Sequence, residues 1–435
     1  MDKNIEKLTA YFKAGEKTEK KLGVEFEHFL VDGESLRSLS YFESAGQEAL
    51  AKRLVKKGWQ IDYEEEGHIL NASKDGNTLS FEPGGQLEIS IKPLEFIWEI
   101  EAEYLAVRRE VETEMEIGQA LVSMGYHPKT KIEELPLLPK KRYGWMYEAL
   151  HQKGKRARNM MKGSASTQVS IDYSSETDFI KKYRVANFLS PFLSTLFDAA
   201  PVFEGEIFEG RNLRVHIWDY TDPERCKIPA GVFEKTFDYN AYATYIMNTK
   251  PIFMPEGERT KFTESLTVES YAKGKSLSEK QLIHATTMVF PDVRLKQFIE
   301  IRMADALPLE LSLMLPALVK GIFYETHNLN RYYELSLRSS DDDMKRLNQM
   351  IQEYDVFDLT FLGDDINSRQ FIEMIIEDAK KGLTEAEQQL LSRGHKWMLE
   401  NRSYAEFLKR RAVQSEASFR DAIIENKIFE GGMNV

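Results

Sequence analysis

The chain has a single cysteine, Cys226. That excludes an intrachain disulfide framework and a cysteine-rich zinc centre. It also lacks a long apolar run. The stretches Ala186–Phe203 and Met303–Phe323 are broken by Pro191, Asp198, Asp305, Pro308 and Glu310, so no membrane span is expected. The opening MDKNIEKLTAYFKAG is charged and amphipathic, without the apolar centre of a signal peptide, which places the chain in the cytoplasm as an expectation. An excess of positive charge is missing as well. The formal net charge is −12, which argues against a broad footprint for nucleic acid. The common nucleotide cradles are absent: there is no G-x-x-x-x-G-K-[ST], and no G-x-G-x-x-G follows a strand. No H-E-x-x-H occurs. A small polyanion could still bind where metal ions and local arginines overcome the net field.

What is present describes an ordinary globular protein. The 435 residues are 42% hydrophobic and 29% charged, enough for a sizeable core. Apolar spacing predicts a helix over Asp2–Ala14, a strand over Leu22–Val31 and a helix over Glu43–Lys57 ended by Gly58. Gln60–Ser80 reads as two short strands around the turn Lys74-Asp75-Gly76-Asn77. Ser80–Ile91 reads as a strand interrupted by Pro83-Gly84-Gly85, and Leu94–Met124 as one long helix. After the irregular passage His127–Tyr143, Ser164–Tyr173 alternates and Glu176–Phe197 is helical. Asn212–Trp218 and Gln297–Met303 read as short strands, and Leu307–His327 as a buried helix. From Ser339 the pattern is helical and charged, ending in a Gly431-Gly432-Met433-Asn434 tail expected to fray. Strands and helices mix without βαβ alternation, which favours an α+β fold with an antiparallel sheet. No linker stands out. The expectation is one integrated unit over 1–435, with a core over 15–335 and a helical segment over 336–435.

The informative feature is the second face of the strands, because side chains alternate across a strand. Glu25 and Glu27 share a face opposite Val24 and Phe26. Gln86 and Glu88 share one opposite Leu87 and Ile89, and Glu82 stands just before the Pro-Gly-Gly bend. Ser166, Gln168, Ser170 and Asp172 line another; Arg214 with His216, and Glu300 with Arg302, line two more. Any one of these could be the wet side of a half-exposed sheet. Together they collect Glu, Gln, Arg and His, with no Lys.

Were these faces to converge, they would need counter-ions. Two carboxylates about 4 Å apart repel by roughly 4 kcal/mol at an effective dielectric near 20. Hard oxygen donors with few histidines suit Mg²⁺ or Mn²⁺. Carboxylates beside arginines suit ATP, whose phosphate oxygens the metal and the guanidinium groups would share. Other signals are weak. His28 lies on an apolar face and reads as a satisfied core histidine. Cys226 has no histidine partner close by in sequence, so no nucleophilic role is expected.

Five segments in this order carry a resemblance: Gly23-Val24-Glu25-Phe26-Glu27; Glu82-Pro83-Gly84-Gly85-Gln86-Leu87-Glu88; Thr167-Gln168-Val169-Ser170-Ile171-Asp172; Arg214-Val215-His216-Ile217-Trp218 with Thr221-Asp222; and Phe290-Pro291-Asp292-Val293-Arg294-Leu295-Lys296 running to Glu300-Ile301-Arg302. Together they resemble the plant-type glutamate–cysteine ligases, from Leu22 to Glu325, and more weakly through Gly382–Glu387. The resemblance implies a fold similar to the glutamine synthetase catalytic domain, a curved antiparallel sheet forming a funnel with helices outside. It implies an ATP-dependent reaction in which the glutamate γ-carboxylate is phosphorylated and the cysteine amine then displaces phosphate.

By the same resemblance Glu25, Glu27, Glu82, Glu88 and Glu300 are candidate Mg²⁺ ligands, with Mn²⁺ an alternative. Arg214 and Arg302 would hold phosphate or a substrate carboxylate, and Gln168 would face metal or substrate. Trp218 would form pocket wall, and Lys162 and Arg225 would touch phosphate or substrate. The implied partners are glutamate, cysteine and ATP, with no nucleic acid or membrane, in a monomer or homodimer. Two departures bear on the acceptor amine. The family usually has an Arg-Thr-Cys-Thr-like run before Gln-Val-Asn; here Gly163 replaces the arginine and Ser170 the asparagine. The alternatives are a related ligase using another amine, or a non-catalytic nucleotide- or metal-binding protein.

Overall fold

The computed structural model describes residues 2–257, 259–263, 265–362, 366–426 and 428. The Gly431–Asn434 tail lies outside the described residues. Among the described residues nine strands form one sheet: β1 (Leu22–Asp32), β2 (Gln60–Glu65), β3 (His68–Lys74), β4 (Asn77–Phe81), β5 (Leu87–Leu94), β6 (Gln119–Val122), β7 (Thr167–Ile171), β8 (Val293–Leu295) and β9 (Ile299–Ile301). The lateral order is β8-β9-β7-β1-β5-β4-β3-β2, and β6 pairs with the end of β1. Every pairing in the sheet is antiparallel. The expected α+β class with a large antiparallel sheet and a helical C-terminal segment is what the chain adopts.

The helices that matter to the site are α1 (Lys3–Lys13), α2 (Gln47–Lys56), α3 (Ile97–Thr113), α4 (Lys141–His151), α5 (Ala157–Gly163), α6 (Glu176–Leu196), α7 (Leu213–Asp219), α8 (Met314–Phe323), α9 (Asp341–Glu353) and α10 (Tyr404–Gln414). Val24, Phe26, Leu87, Ile89, Val169 and Ile171 are buried on one face of the sheet. Helices α3 and α8 pack against that face, and the Phe26 and Tyr104 ring centroids stand 4.5 Å apart. Each such side chain contributes about 1.5–3 kcal/mol by leaving water. This burial fixes which face turns away, and so aims the opposite face at α4, α5 and α7. His28 is a satisfied core histidine: its ring meets the Ser123 hydroxyl at 2.8 Å and the Tyr104 hydroxyl at 3.2 Å. Among the described residues no helix is long and apolar enough to cross a membrane.

Several elements differ from the sequence reading. Three strands, not two, occupy residues 60–81, because Glu66-Gly67 forms a second tight turn like Asp75-Gly76. Both pairs have positive φ, 53° and 84° against 53° and 85°, the primed hairpin geometry. Pro83-Gly84-Gly85 does not interrupt one strand; it joins β4 to β5. A Cβ on Gly84 would stand 2.2 Å from the Lys162 carbonyl oxygen, so the bend seats directly on α5. The long helix ends at Thr113, and Gly118, with φ 90°, turns the chain into β6. The buried helix divides into a short turn at Leu309–Ser312, α8, and a further helix from Thr326.

The most consequential difference is at Asn212–Trp218, read as a strand and found as helix α7. The Val-x-Ile alternation there has no neighbouring strand to complete a ladder, so intrahelical bonds satisfy the backbone instead. Asn212 enters the helix in the left-handed region, with φ 50°. Two residues along a helix turn by roughly 200°. Arg214 and His216 therefore do not share a face: Arg214 is buried, and His216 is half-buried against Tyr220.

Candidate active site

The strand register brings the polar residues level with one another. Glu27 of β1 stands opposite Glu88 of β5, and Glu25 opposite both Ser90 of β5 and Gln168 of β7. On the far side, Glu300 of β9 pairs with Ser170 of β7 and Arg294 of β8. Above this face lies a cavity of about 310 Å³. Its lining includes Glu25, Glu27, Glu82, Glu88 and Glu300, together with Gln168, Arg214, Trp218 and Arg302. Residues far apart in the chain thus share one chamber, nine of the eleven named from the sequence.

Two do not belong to it. Lys162 donates its Nζ–H to the Leu135 carbonyl at 2.8 Å and lies over the Tyr147 ring, outside the lining. Arg225 is ion-paired to Asp222, donates to the Lys250 carbonyl, and borders a different groove beside Trp145 and Pro251. Both are buried structural cations, and the sequence held no sign of the partners that claim them.

The chamber also holds groups the sequence reading passed over. Lys140, Arg142, Tyr143 and Met146 enter from α4 and the residue before it, and Arg294 and Lys296 from β8 and its end. Arg294 and Lys296 are two apart, the same period that marked Glu300 and Arg302. Lys140-Lys141-Arg142 is a basic cluster in the Pro- and Lys-rich passage read as irregular. The five strand faces read from the sequence carry no lysine, and Lys140 and Lys296 reach the assembled cavity from outside them.

Charge divides the chamber into two flanks. On one, Glu300 accepts from Arg294 (Nη2 at 2.7 Å), Lys296 (2.9 Å) and Arg302 (2.9 Å). Burial raises its carboxyl, but Arg294, Arg302 and Lys296 outweigh it and hold it far below the usual carboxylate range. Glu300, which the resemblance made a candidate Mg²⁺ ligand, thus has three cations as its partners. On the other flank, Glu25, Glu27 and Glu88 have no ion-pair partner among the described residues, although Lys296 and Arg302 attract Glu25 and Arg214 attracts Glu27 from further off. Burial, with repulsion from Glu88 and Glu300, pushes Glu25 up to about 8. Burial and Glu82 push Glu27 up to about 7. Burial, Glu82 and Glu27 push Glu88 up to about 8.

Hydrogen bonds hold these groups in place. The Ser166 hydroxyl donates to Glu27 Oε1 at 2.9 Å, and Gln168 Nε2 donates to the same oxygen at 3.1 Å. Gln168 Oε1 in turn accepts from Arg302 at 2.8 Å, so one amide links the two flanks. Ser80 and Ser90 each donate to Glu88 Oε1 at 3.0 Å. Arg214 donates to the main-chain oxygens of Met303 and Arg302, both at 3.1 Å, while its buried Nε–H has no protein acceptor among the described residues.

The donor set fits a hard divalent cation. Among the described residues no three acidic, histidine or cysteine side chains stand ready as a closed metal cage. Mg²⁺ does not require one: it is usually held by one or two carboxylates together with phosphate oxygens of a substrate. Buried Glu27 and half-buried Glu25 and Glu88, beside a guanidinium flank for phosphate, match that mode of binding.

The stretch of chain that carries these residues is similar to known proteins. The model of the glutamate–cysteine ligase family 2 (GCS2) matches residues 21–357. The chain belongs to that family. It is 31% identical over 343 residues to the chloroplastic glutamate–cysteine ligase of Arabidopsis thaliana, a stretch covering 76% of this chain and 65% of the relative. It is 29% identical over 393 residues to glutamate–cysteine ligase B, chloroplastic, of Oryza sativa subsp. japonica, covering 87% of this chain and 77% of the relative. The chain thus spans just under two thirds of the Arabidopsis protein's length. A solved glutamate–cysteine ligase from Francisella tularensis, in complex with AMP, superposes with a TM-score of 0.58 at 11% identity, over 94% of this chain and 88% of that one. That likeness is one of fold.

Gly163, where the resemblance would put an arginine, has a physical reading in this chain alone. A Cβ there would lie 2.4 Å from the Tyr126 ring, so no side chain fits in this member. Ser164, one residue on, lines the cavity.

Proposed function

We propose that the chain is an ATP-dependent ligase joining the glutamate γ-carboxylate to the amine of cysteine, giving γ-glutamylcysteine, ADP and phosphate, in the cytoplasm. The observation that carries the reading is the two-flanked chamber: cations gathered by Glu300 face the under-compensated Glu25, Glu27 and Glu88 across about 310 Å³. A nucleoside triphosphate with a divalent ion complements both flanks at once.

In the first step a γ-carboxylate oxygen of glutamate attacks the terminal phosphorus of ATP and the bond to ADP breaks. In the second, the cysteine nitrogen attacks the acyl carbon, loses a proton, and phosphate leaves. Arg294, Lys296 and Arg302 neutralise charge on the phosphoryl oxygens, a task suited to pre-oriented guanidinium groups. Arg214, with an unused Nε–H, holds a substrate carboxylate. Trp218 walls the chamber beside it. Glu25, Glu27 and Glu88, with Glu82 at the rim, would hold Mg²⁺; when bound, the ion would screen the phosphates and withdraw electron density from the transferred group.

The test is turnover. Purified protein is given ATP, Mg²⁺ and glutamate, the amine is varied, and phosphate release and product mass are read. Cysteine-dependent phosphate with the dipeptide mass supports the proposal. Turnover only with another amine supports a related carboxylate–amine ligase. No turnover with any amine leaves a binding protein.

A further inference from the structure

Beside the chamber lies a smaller cavity of about 30 Å³. Arg214, Trp218, Phe290 and Arg302 line both, so the two adjoin. A space of this size holds a water molecule or an ammonium group. Its remaining wall carries charges that the proposed chemistry does not use: Asp219, Lys227 and Asp292.

Most of the charges around this side cavity are already paired. Lys227 Nζ stands 3.0 Å from Asp219 Oδ1, and Gln352 of α9 donates Nε2–H to Asp219 Oδ2 at 2.8 Å. Arg302 is ion-paired to Glu300 at 2.9 Å. Two opposite charges remain. Arg214 spends its terminal N–H groups on the neutral carbonyls of Met303 and Arg302. Asp292 Oδ2 accepts one long hydrogen bond, from Ser190 Oγ of α6 at 3.3 Å, and Oδ1 accepts none among the described residues. Arg214 and Asp292 line the same small space, yet among the described residues they form no ion pair with each other.

The backbone holds Asp292 in place. Its N–H donates to the Lys227 carbonyl at 3.3 Å, and its carbonyl accepts the Arg302 N–H at 3.0 Å. The residue is thus fastened to the end of β9, the strand of Glu300. Burial and Asp219 push its carboxyl up to about 6, so it is ionised in mildly alkaline buffer.

A guanidinium and a carboxylate held apart across a gap complement an α-amino acid, whose carboxylate and ammonium sit on one carbon. The two amino acids of the proposed reaction differ in this respect. The acceptor's nitrogen is the nucleophile and must be free to attack. The α-ammonium of glutamate takes no part in bond making. A fixed ammonium site therefore suits glutamate, and holding that end leaves the γ-carboxylate free to meet the phosphoryl group.

We propose that Asp292 binds the α-ammonium of glutamate in the side cavity while Arg214 takes the α-carboxylate, so that the pair decides which carboxylate is phosphorylated. The inference rests on the ligase reading and on Arg214 as a substrate contact.

The test is binding, measured by calorimetry on the full chain with Mg²⁺ and a non-hydrolysable ATP analogue at about pH 8, where Asp292 is ionised. Glutamate is compared with glutarate, which lacks only the ammonium group. The parent is expected to bind glutamate at least about 10-fold more tightly than glutarate. Asp292→Asn should weaken glutamate by about 10- to 100-fold, the range for a hydrogen bond to a charged group, and weaken glutarate by no more than about 3-fold. Equal weakening of both ligands, the result of a purely structural role, would overturn the inference. So would a parent that binds the two alike, or binds neither. Should Asp292→Asn not fold, Ser190→Ala keeps the charge and frees Oδ2; the preference for glutamate should then fall by about 3-fold, and an unchanged preference overturns the inference. A parent that prefers glutamate through Asp292 but turns over no amine defeats the ligase proposal alone. A parent that ligates glutamate while Asp292→Asn leaves the preference intact defeats this inference alone.

Discussion

Ser166 grips Glu27 at three points: its N–H donates to Oε2 at 2.7 Å, its hydroxyl donates to Oε1 at 2.9 Å, and its carbonyl accepts the Glu27 N–H at 3.1 Å. A carboxylate so held keeps one orientation on the chamber floor before any ligand arrives. Removing the hydroxyl by Ser166→Ala leaves one oxygen with a single weak partner. We expect kcat to fall by about 10-fold, as for one charge-assisted hydrogen bond, with Ser166→Thr near the parent. Steady-state kinetics of the two variants side by side check this; equal loss in both would point to packing instead.

Glu27→Gln and Glu88→Gln remove a charge without removing volume. Turnover should drop by at least about 1,000-fold if these groups hold the ion that screens phosphate. Circular dichroism and thermal melting should stay near the parent, since burying an amide in place of a raised carboxyl relieves repulsion. Near-normal activity in either variant would refute the assignment.

Lys162→Met and Gly163→Ala separate scaffold from chemistry. Lys162 is tied to a carbonyl outside the chamber, so Lys162→Met should cost about 1–2 kcal/mol of stability by orphaning that carbonyl and leave KM values within about 2-fold. Gly163→Ala drives a methyl into the Tyr126 ring and should cost about 1–3 kcal/mol by overpacking. Denaturant titration measures both. An Lys162→Met protein of parental stability with a raised KM for ATP would restore the role given to Lys162 from the sequence.

The floor carboxyls also make stability depend on pH. Glu25, Glu27 and Glu88 are harder to ionise folded than unfolded, with values of about 8, 7 and 8. The folded chain therefore binds more protons than the unfolded one between the ordinary carboxylate range and about pH 8. Their contribution is whole below that window and is lost as pH rises through it, at no more than about 1.4 kcal/mol per pH unit for each group. Glu300 is shifted the other way, and its contribution is lost only in acid, below the window. Without divalent ions the melting temperature should fall between about pH 6 and pH 8, and millimolar Mg²⁺ should restore it at the upper end. A flat profile that Mg²⁺ does not move would contradict the account.

How much of this was legible before the structure varied with the physical origin of each feature. Glu25, Glu27, Glu88, Gln168, Glu300 and Arg302 were readable because period-two alternation and an apolar opposite face are local signals. Their convergence was not, since the register between β1, β5, β7 and β9 is set by long-range pairing. Arg214 was found for a wrong reason: a strand-like alternation supplied its face, yet it reaches the chamber from helix α7. Lys162 and Arg225 were misplaced because the Leu135 carbonyl and the Asp222 carboxylate that hold them are recognisable as partners only in space. Lys140 and Arg142 were missed because a helix beginning at Lys141, after a proline-rich passage, carries little periodic signal.

In the proposed function one chamber takes a divalent ion together with a nucleoside triphosphate. Crystals soaked with Mn²⁺ and a non-hydrolysable ATP analogue test it directly through anomalous scattering. The expected result is Mn²⁺ density between the Glu25, Glu27 and Glu88 carboxylates and the analogue's phosphates, with Arg294, Lys296 and Arg302 on the opposite side of the phosphate chain. Analogue bound elsewhere, or bound in the chamber with no anomalous peak beside these carboxylates, would contradict it.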